Sequence, residues 1–226
     1  MIALSGSWFD NTVITHNFWP ATVETLAMTL ISTVLSVVLG TITGLVLVGT
    51  AKGGLFPNRV VNQILGAIVN VGRSIPFVIL MIAISPLTKI LAGTTIGWEA
   101  TIFPLTVAAT PFFARLVETN ILGVDQGKVE AAKMMGATRS QIMFGVLVRE
   151  ALPALIQSIA VLMISIIGFS AMAGVLGAGG LGALAMNYGY YQFMTDVMVL
   201  TVVGIIVIVE IVQVVGDMLS RLVDHR

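Results

Sequence analysis

Five apolar runs dominate the chain. They cover about 22–48, 60–84, 101–122, 155–176 and 197–219, each near or beyond the roughly 20 residues that an α-helix needs to cross a bilayer. Hydrocarbon offers backbone polar groups no partner, so a spanning segment of this length has to be helical. Only 10% of the 226 residues are charged and 57% are hydrophobic, against about 25% charged in an average soluble domain. The expected fold is an all-α polytopic membrane protein with five transmembrane helices. No repeat, low-complexity tract or soluble-domain boundary interrupts residues 1–226, which read as one membrane domain.

Positive charge orients the spans, because Lys and Arg near span ends stay on the cytoplasmic side. Of the eleven Lys and Arg, nine fall on one side when five spans are threaded alternately: Lys52, Arg59, Arg115, Lys128, Lys133, Arg139, Arg149, Arg221 and Arg226. Lys89 is alone on the other side, and Arg73 falls inside the second span. The expected topology has the N-terminus outside and the C-terminus inside. The first twenty residues carry no Lys or Arg, so they lack the positive start of a cleaved signal and read as retained. Trp8, Phe9, Phe18 and Trp19 suit the headgroup level of a membrane.

One interval breaks the apolar pattern. Residues 125–150 contain Lys128, Glu130, Lys133, Arg139, Arg149 and Glu150, and the topology makes them cytoplasmic. Asp125 can cap a short helix and Gly136 can end it in a left-handed conformation. Thr138 and Gln141 have capping-box spacing for a second short helix, with Ile142, Met143, Val146 and Leu147 as its apolar stripe. Two uses fit such an insert: a helix pair resting on lipid headgroups, or a docking element for another protein, with Ala131 and Ala132 leaving room for close approach.

Several functions are excluded by what the chain lacks. Zero net charge argues against a nucleic-acid partner, and no cysteine is present for thiol or thiolate chemistry. His16 and His225 lie near opposite ends. No His-Glu-x-x-His, Gly-x-Ser-x-Gly or phosphate-binding Gly-x-x-x-x-Gly-Lys-Ser/Thr motif occurs, so no catalytic or metal site is expected. Any ATP that drives the protein has to be bound elsewhere.

"EAAKMMG" (130–136) followed by an apolar stretch resembles the EAA loop of importer-type ABC permeases. The resemblance implies coupling helices that dock into a cytoplasmic ATPase, with Glu130, Ala131, Ala132, Gly136, Ala137 and Thr138 as docking residues. The family's Leu-Pro about a dozen residues after the glycine is replaced here by Val148-Arg149, and the proline comes later, at Pro153. "ETLAMTL" (24–30), "RSIPF" (73–77), "PLTVAATPFFARLVE" (104–118) and "GFSAMAGVLGAGGLG" (168–182) resemble the membrane subunit of methionine ABC importers. That likeness implies a type I importer permease fold with its core at about 20–219. It also implies a second copy, two ATPase subunits that bind ATP and Mg, an extracytoplasmic methionine-binding protein, and a place in the cytoplasmic membrane.

Two further features carry expectations. Arg73 either pairs with Glu118 or Glu210 inside the bundle or marks a span boundary near Ser74. The glycine-rich 168–182 segment either allows close helix packing or lines a pore. In the pore reading Phe169, Ser170 and Met172, with Ser74 and Pro76, border the translocation path; the other eleven methionines read as core fillers. The expected function is a permease subunit importing methionine between two copies. The alternatives are a permease for another amino acid or small polar solute, an ion-coupled carrier, which would show repeats and midplane charges, and a scaffolding membrane subunit.

Overall fold

A computed structural model describes residues 11–223. Among these it contains helices and short connections: α1 (Thr12–Thr50), α2 (Arg59–Ser74), α3 (Phe77–Ala83), α4 (Ser85–Ala92), α5 (Trp98–Leu122), α6 (Gln126–Met134), α7 (Val148–Gly174), α8 (Gly180–Leu184) and α9 (Thr195–Val223). π-Helical segments at Gln141–Leu147 and Ala185–Tyr190 lead into α7 and follow α8. Trp8, Phe9, His225 and Arg226 lie outside the described residues.

Among the described residues, four helices are long and apolar enough to span a membrane: α1, α5, the run Gln141–Gly174 and α9. A fifth exists if the sharply bent pair α2 and α3 counts as one span. The second apolar run is thus not one straight helix. Pro76 disfavours helical geometry at the residue before it, and Ile75 is extended at φ −83°, ψ 123°. Arg73 consequently sits in the last turn of α2, beside this break.

Two other boundaries differ from expectation. Helix α1 begins at Thr12, where the Asn11 side chain accepts a bond from the Val13 N–H at 2.9 Å. Pro20 lies inside the helix rather than ahead of it, leaving Trp19 exposed on the helix surface and Phe18 half-buried against Gly204. The second helix of the charged insert is not short. It continues through the π-helical segment into α7, so residues 141–174 form one helix. Pro153 is accommodated within it, and its carbonyl accepts a bond from Ser220 Oγ at 3.0 Å.

The chain divides into two compact units, to which α1, α5, α7 and α9 each contribute a part. The first comprises 1–32, 77–105 and 164–211; the second comprises 33–76, 106–163 and 212–226. In the first, Ser32 Oγ donates to the Ile102 carbonyl at 3.3 Å and Asn11 Nδ2 donates to Asp196 Oδ2 at 2.6 Å. The backbone of Gly182 meets Ala171, and Gly174 meets Gly182 and Ala183, so closely that a Cβ at either glycine would collide with main chain.

The second unit is packed by the same device. A Cβ on Gly44 would lie 2.7 Å from Val117, and one on Gly72 would lie 2.7 Å from Pro111. The Gly40 to Gly44 stretch is therefore the small-residue face on which α1 meets α5, as close helix packing in lipid favours. Leu47, Val69 and Ala114 form a buried cluster. Asn120 bridges α5 to α7 through Ser158 Oγ at 2.7 Å. Hydroxyls in the helices mostly return to their own backbone, as Thr43 to the Leu39 carbonyl and Thr110 to the Thr106 carbonyl.

Gly44→Val is expected to lower stability by roughly 1–3 kcal/mol through overpacking, read as a lower melting temperature of the solubilised protein. Gly145→Ala, where nothing lies within 4 Å of the added carbon, should melt like the parent. Equal melting of the two variants would remove the close-packing account.

Candidate functional site

Helix α6 is built by local sequence. Asp125 Oδ1 accepts a bond from the Gly127 N–H at 2.9 Å, closing its start. At its end Gly136 has φ 82°. The Gly136 N–H bonds the Lys133 carbonyl and the Ala137 N–H bonds the Ala132 carbonyl, each at 3.0 Å. This is a Schellman closure, which depends on a residue that tolerates the left-handed region. The next helix opens with reciprocal bonds: the Thr138 N–H donates to Gln141 Oε1 at 2.7 Å, and the Gln141 N–H donates to Thr138 Oγ1 at 3.4 Å.

The corner so formed is held from beneath. Val129, Ile142, Met143 and Leu147 are buried, and a Lys128–Glu150 ion pair ties α6 to the start of α7. Arg139 lies over the Phe56 ring at 5.8 Å. The loop at Lys52 to Leu55 and α6 border a shared cavity of about 270 Å³ with Lys133 on its wall. Facing outward are Glu130, Ala131, Gly136 and Thr138, with Ala132 and Ala137 half-buried. All six expected coupling residues thus lie on one corner of the second unit.

Met134 and Met135 lie on the same corner, 90% and 88% exposed. Reading them as core fillers was wrong, since side chains this exposed fill no core. The signal available was their setting: two adjacent apolar residues within a charged, water-facing helix, followed by the glycine that ends it.

The residues expected along a path behave differently from one another. In the first unit, Met172 is 52% exposed and Phe169 is half-buried, its ring stacked on Phe77 at 5.0 Å between centroids and 14° between planes. Ser170 is buried, and its hydroxyl donates back to the Ile167 carbonyl at 2.8 Å. It therefore does not share the open face of Met172. In the second unit, Ser74 and Pro76 are exposed at the break after α2, with Ser74 Oγ donating to the Asn70 carbonyl at 2.8 Å.

Arg73 forms no ion pair among the described residues. Glu118, one expected partner, is engaged by Arg115, which also donates to Asn70 Oδ1. Arg73 is exposed in the last turn of α2, so it marks a helix boundary and not a buried pair.

A contact that sequence reasoning did not foresee lies in the first unit. Glu24 Oε2 accepts a bond from the Gly180 N–H at 2.7 Å, and Thr25 Oγ1 accepts one from the Leu181 N–H at 2.9 Å. Only the "ETLAMTL" stretch hinted at it, and nothing local marks residues 24 and 180 as neighbours.

Comparison with known proteins agrees with these features. Residues 36–226 match the model of the family described as "Binding-protein-dependent transport system inner membrane component". A Vibrio cholerae protein described as "Probable D-methionine transport system permease protein MetI" is 48% identical over 206 residues, covering 91% of this chain and 92% of that one. The Bacillus subtilis "Methionine import system permease protein MetP" is 47% identical over 219 residues, covering 97% and 98%. A solved chain from inward-facing conformations of the MetNI methionine ABC transporter is 40% identical, with TM-score 0.92 over 95% of this chain and 100% of that one. A chain of an amino acid ABC transporter crystallised with histidines, 18% identical with TM-score 0.79 over 96% and 99%, shares the fold. With most of its length matched by the family model and by close relatives, the chain belongs to the binding-protein-dependent transport system inner membrane component family.

Proposed function

We propose that this protein is the permease subunit of an ATP-driven methionine importer in the cytoplasmic membrane. The observation that carries the reading is the water-facing corner at Gly136 joined to a single helix over residues 141–174. At 1.5 Å per residue this helix is roughly 50 Å long. It begins beside the docking corner and has Phe169 and Met172 in its last two turns. The helix that starts at the corner thus also carries the side chains read as narrowing a passage. The relatives' printed names supply the substrate class, methionine.

The membrane subunit binds no nucleotide in this reading. Two ABC ATPase subunits bind ATP and Mg and dock on Glu130, Ala131, Ala132, Gly136, Ala137 and Thr138, with Met134 and Met135 entering an apolar recess. Two copies of the chain enclose the path between them, because four spans and one bent pair are few to surround a zwitterion. Phe169 and Met172 of the first unit border the path. Methionine arrives from an extracytoplasmic binding protein. The ionised groups of the amino acid keep it from crossing an apolar constriction until ATP closure draws the copies apart.

The positive-inside bias supports a cytoplasmic docking corner and an external Gly93–Gly97 turn. Single cysteines at Thr94 and Thr138 of this cysteine-free chain are expected to label from opposite faces of intact cells with a membrane-impermeant thiol reagent. Labelling of both from outside would overturn the topology.

Gly136→Val places a Cβ in the left-handed region at about 1 kcal/mol or more and should weaken ATPase association and uptake together, with membrane insertion retained. Met134→Ser with Met135→Ser removes apolar surface already exposed in the free chain, so its yield should be unchanged. Burying one methionine contributes about 1.5–3 kcal/mol, so association measured by co-purification should fall tenfold or more. Normal co-purification and uptake in both variants would return the corner to a headgroup-bound loop.

A further inference from the structure

The segment after α7 is held by contacts that a turn of this kind does not require. Gly177, Gly179 and Gly180 all have positive φ, at 87°, 80° and 72°. The Gly97 N–H donates to the Gly177 carbonyl at 2.9 Å. From α1, Glu24 Oε2 and Thr25 Oγ1 take the N–H groups of Gly180 and Leu181. The fit leaves no room for side chains: a Cβ on Gly179 would stand 2.6 Å from Glu24 Oε2, and one on Gly180 would stand 2.6 Å from Thr25 Oγ1. Water-facing glycine turns close without a carboxylate. Here an acidic side chain has been placed on an apolar helix, where an ionisable group is costly and points to function.

What that carboxylate holds is the rear of the path. Helix α8 begins at Gly180, and its Gly182 backbone lies against Ala171 and Gly174 of α7. Ala171 is flanked by Ser170 and Met172, and Phe169 one residue further back stacks on Phe77 of α3. Main chain on main chain leaves no side chain to absorb a shift, because packed interiors transmit displacement. Movement of α8 therefore moves the last turn of α7.

We propose that Glu24 is a positioning residue for transport: by clasping the Gly180 N–H it seats α8 against α7 and keeps Phe169 and Met172 in the closed arrangement. The proposal rests on the reading of Met172 as a path residue. A charge-assisted bond to a backbone N–H is stronger than a neutral one, and an amide carbonyl in the same place still accepts. The clasp is thus separable from mere filling of space.

The test uses Met172→Cys in the otherwise cysteine-free chain, assembled with its ATPase in proteoliposomes without ATP. The rate of reaction with a membrane-impermeant thiol reagent is followed from each face. With Glu24 present, labelling from the outer face is expected to be slow. Glu24→Ala should raise it roughly tenfold, the scale of losing one hydrogen bond to a charged group, while Glu24→Gln should leave it near the parent rate. Thr94→Cys should react alike in all backgrounds. If Glu24→Ala fails to assemble, Gly179→Ala serves instead, since its methyl displaces the carboxylate while leaving residue 24 intact, and it too should speed labelling. Unchanged outer labelling in an assembled clasp-deficient variant, or a rise in Glu24→Gln equal to that in Glu24→Ala, overturns the clasp and leaves the path reading standing. A cysteine at 172 unreactive from both faces, with and without ATP, overturns the path reading and the proposal together.

Discussion

Satisfaction of the main chain without water governs this structure. In hydrocarbon an unpaired N–H or carbonyl costs several kcal/mol, so straight helix is the default and each departure from it has to bring its own partners. The chain departs where proline or glycine permits it. Ile75, extended ahead of Pro76, breaks the second apolar run. After α7, the Ala178 N–H returns to the Ala173 carbonyl at 3.2 Å, the Gly177 carbonyl is taken by Gly97, and the Gly180 and Leu181 N–H groups go to α1 side chains. The irregular stretch is bonded partly to its own preceding turn and partly to residues distant in sequence.

The same scarcity of water explains how the helices pack. Lipid tails compete with apolar side chains on equal terms, so association rests on close approach and not on hiding hydrophobic surface. Glycines at 44, 72, 174, 182 and 216 each bring a neighbouring element within a distance that a Cβ would forbid. Large apolar side chains along α9, such as Ile206, Ile211 and Val214, meanwhile remain exposed. On a soluble protein such faces would aggregate; in a bilayer they meet lipid or a second copy at no penalty. Charge is distributed by the complementary rule. Lys52 and Lys133 line one cavity at the Gly136 corner, while Lys89 lies between the second and third apolar runs.

Much of this was legible in the sequence because the informative signals were local. The apolar runs at 101–122 and 197–219 became α5 and most of α9, since length and composition suffice to define a spanning helix. The corner was legible in detail: Asp125, Gly136, Thr138 and Gln141 act within a few residues of themselves, and each makes the bond its position predicts. Boundaries set by tertiary support were not legible. Pro20 looked like a helix start, yet α1 continues past it from Asn11, whose amide is itself bonded to Asp196. The insert's second helix looked short because its sequence changes character at Arg149, but helical hydrogen bonding is indifferent to that change. The Glu24 clasp spans 156 residues and depends on the fold being formed, so no periodicity could announce it.

The methionines show why residue type alone assigns no role. Met28 is fully buried and Met143 nearly so, filling gaps under the helices. Met134 and Met135 project from the end of a charged helix, 90% and 88% exposed, and fill no core. Met172, half exposed beside a stacked Phe77–Phe169 pair, is the one place where the side chain faces open space within the glycine-rich end of α7. An unbranched thioether there keeps more side-chain freedom than a β-branched residue, which is restricted at χ1. The surroundings of each methionine are set by the backbone that carries it: Met172 follows Ala171, whose main chain meets that of Gly182.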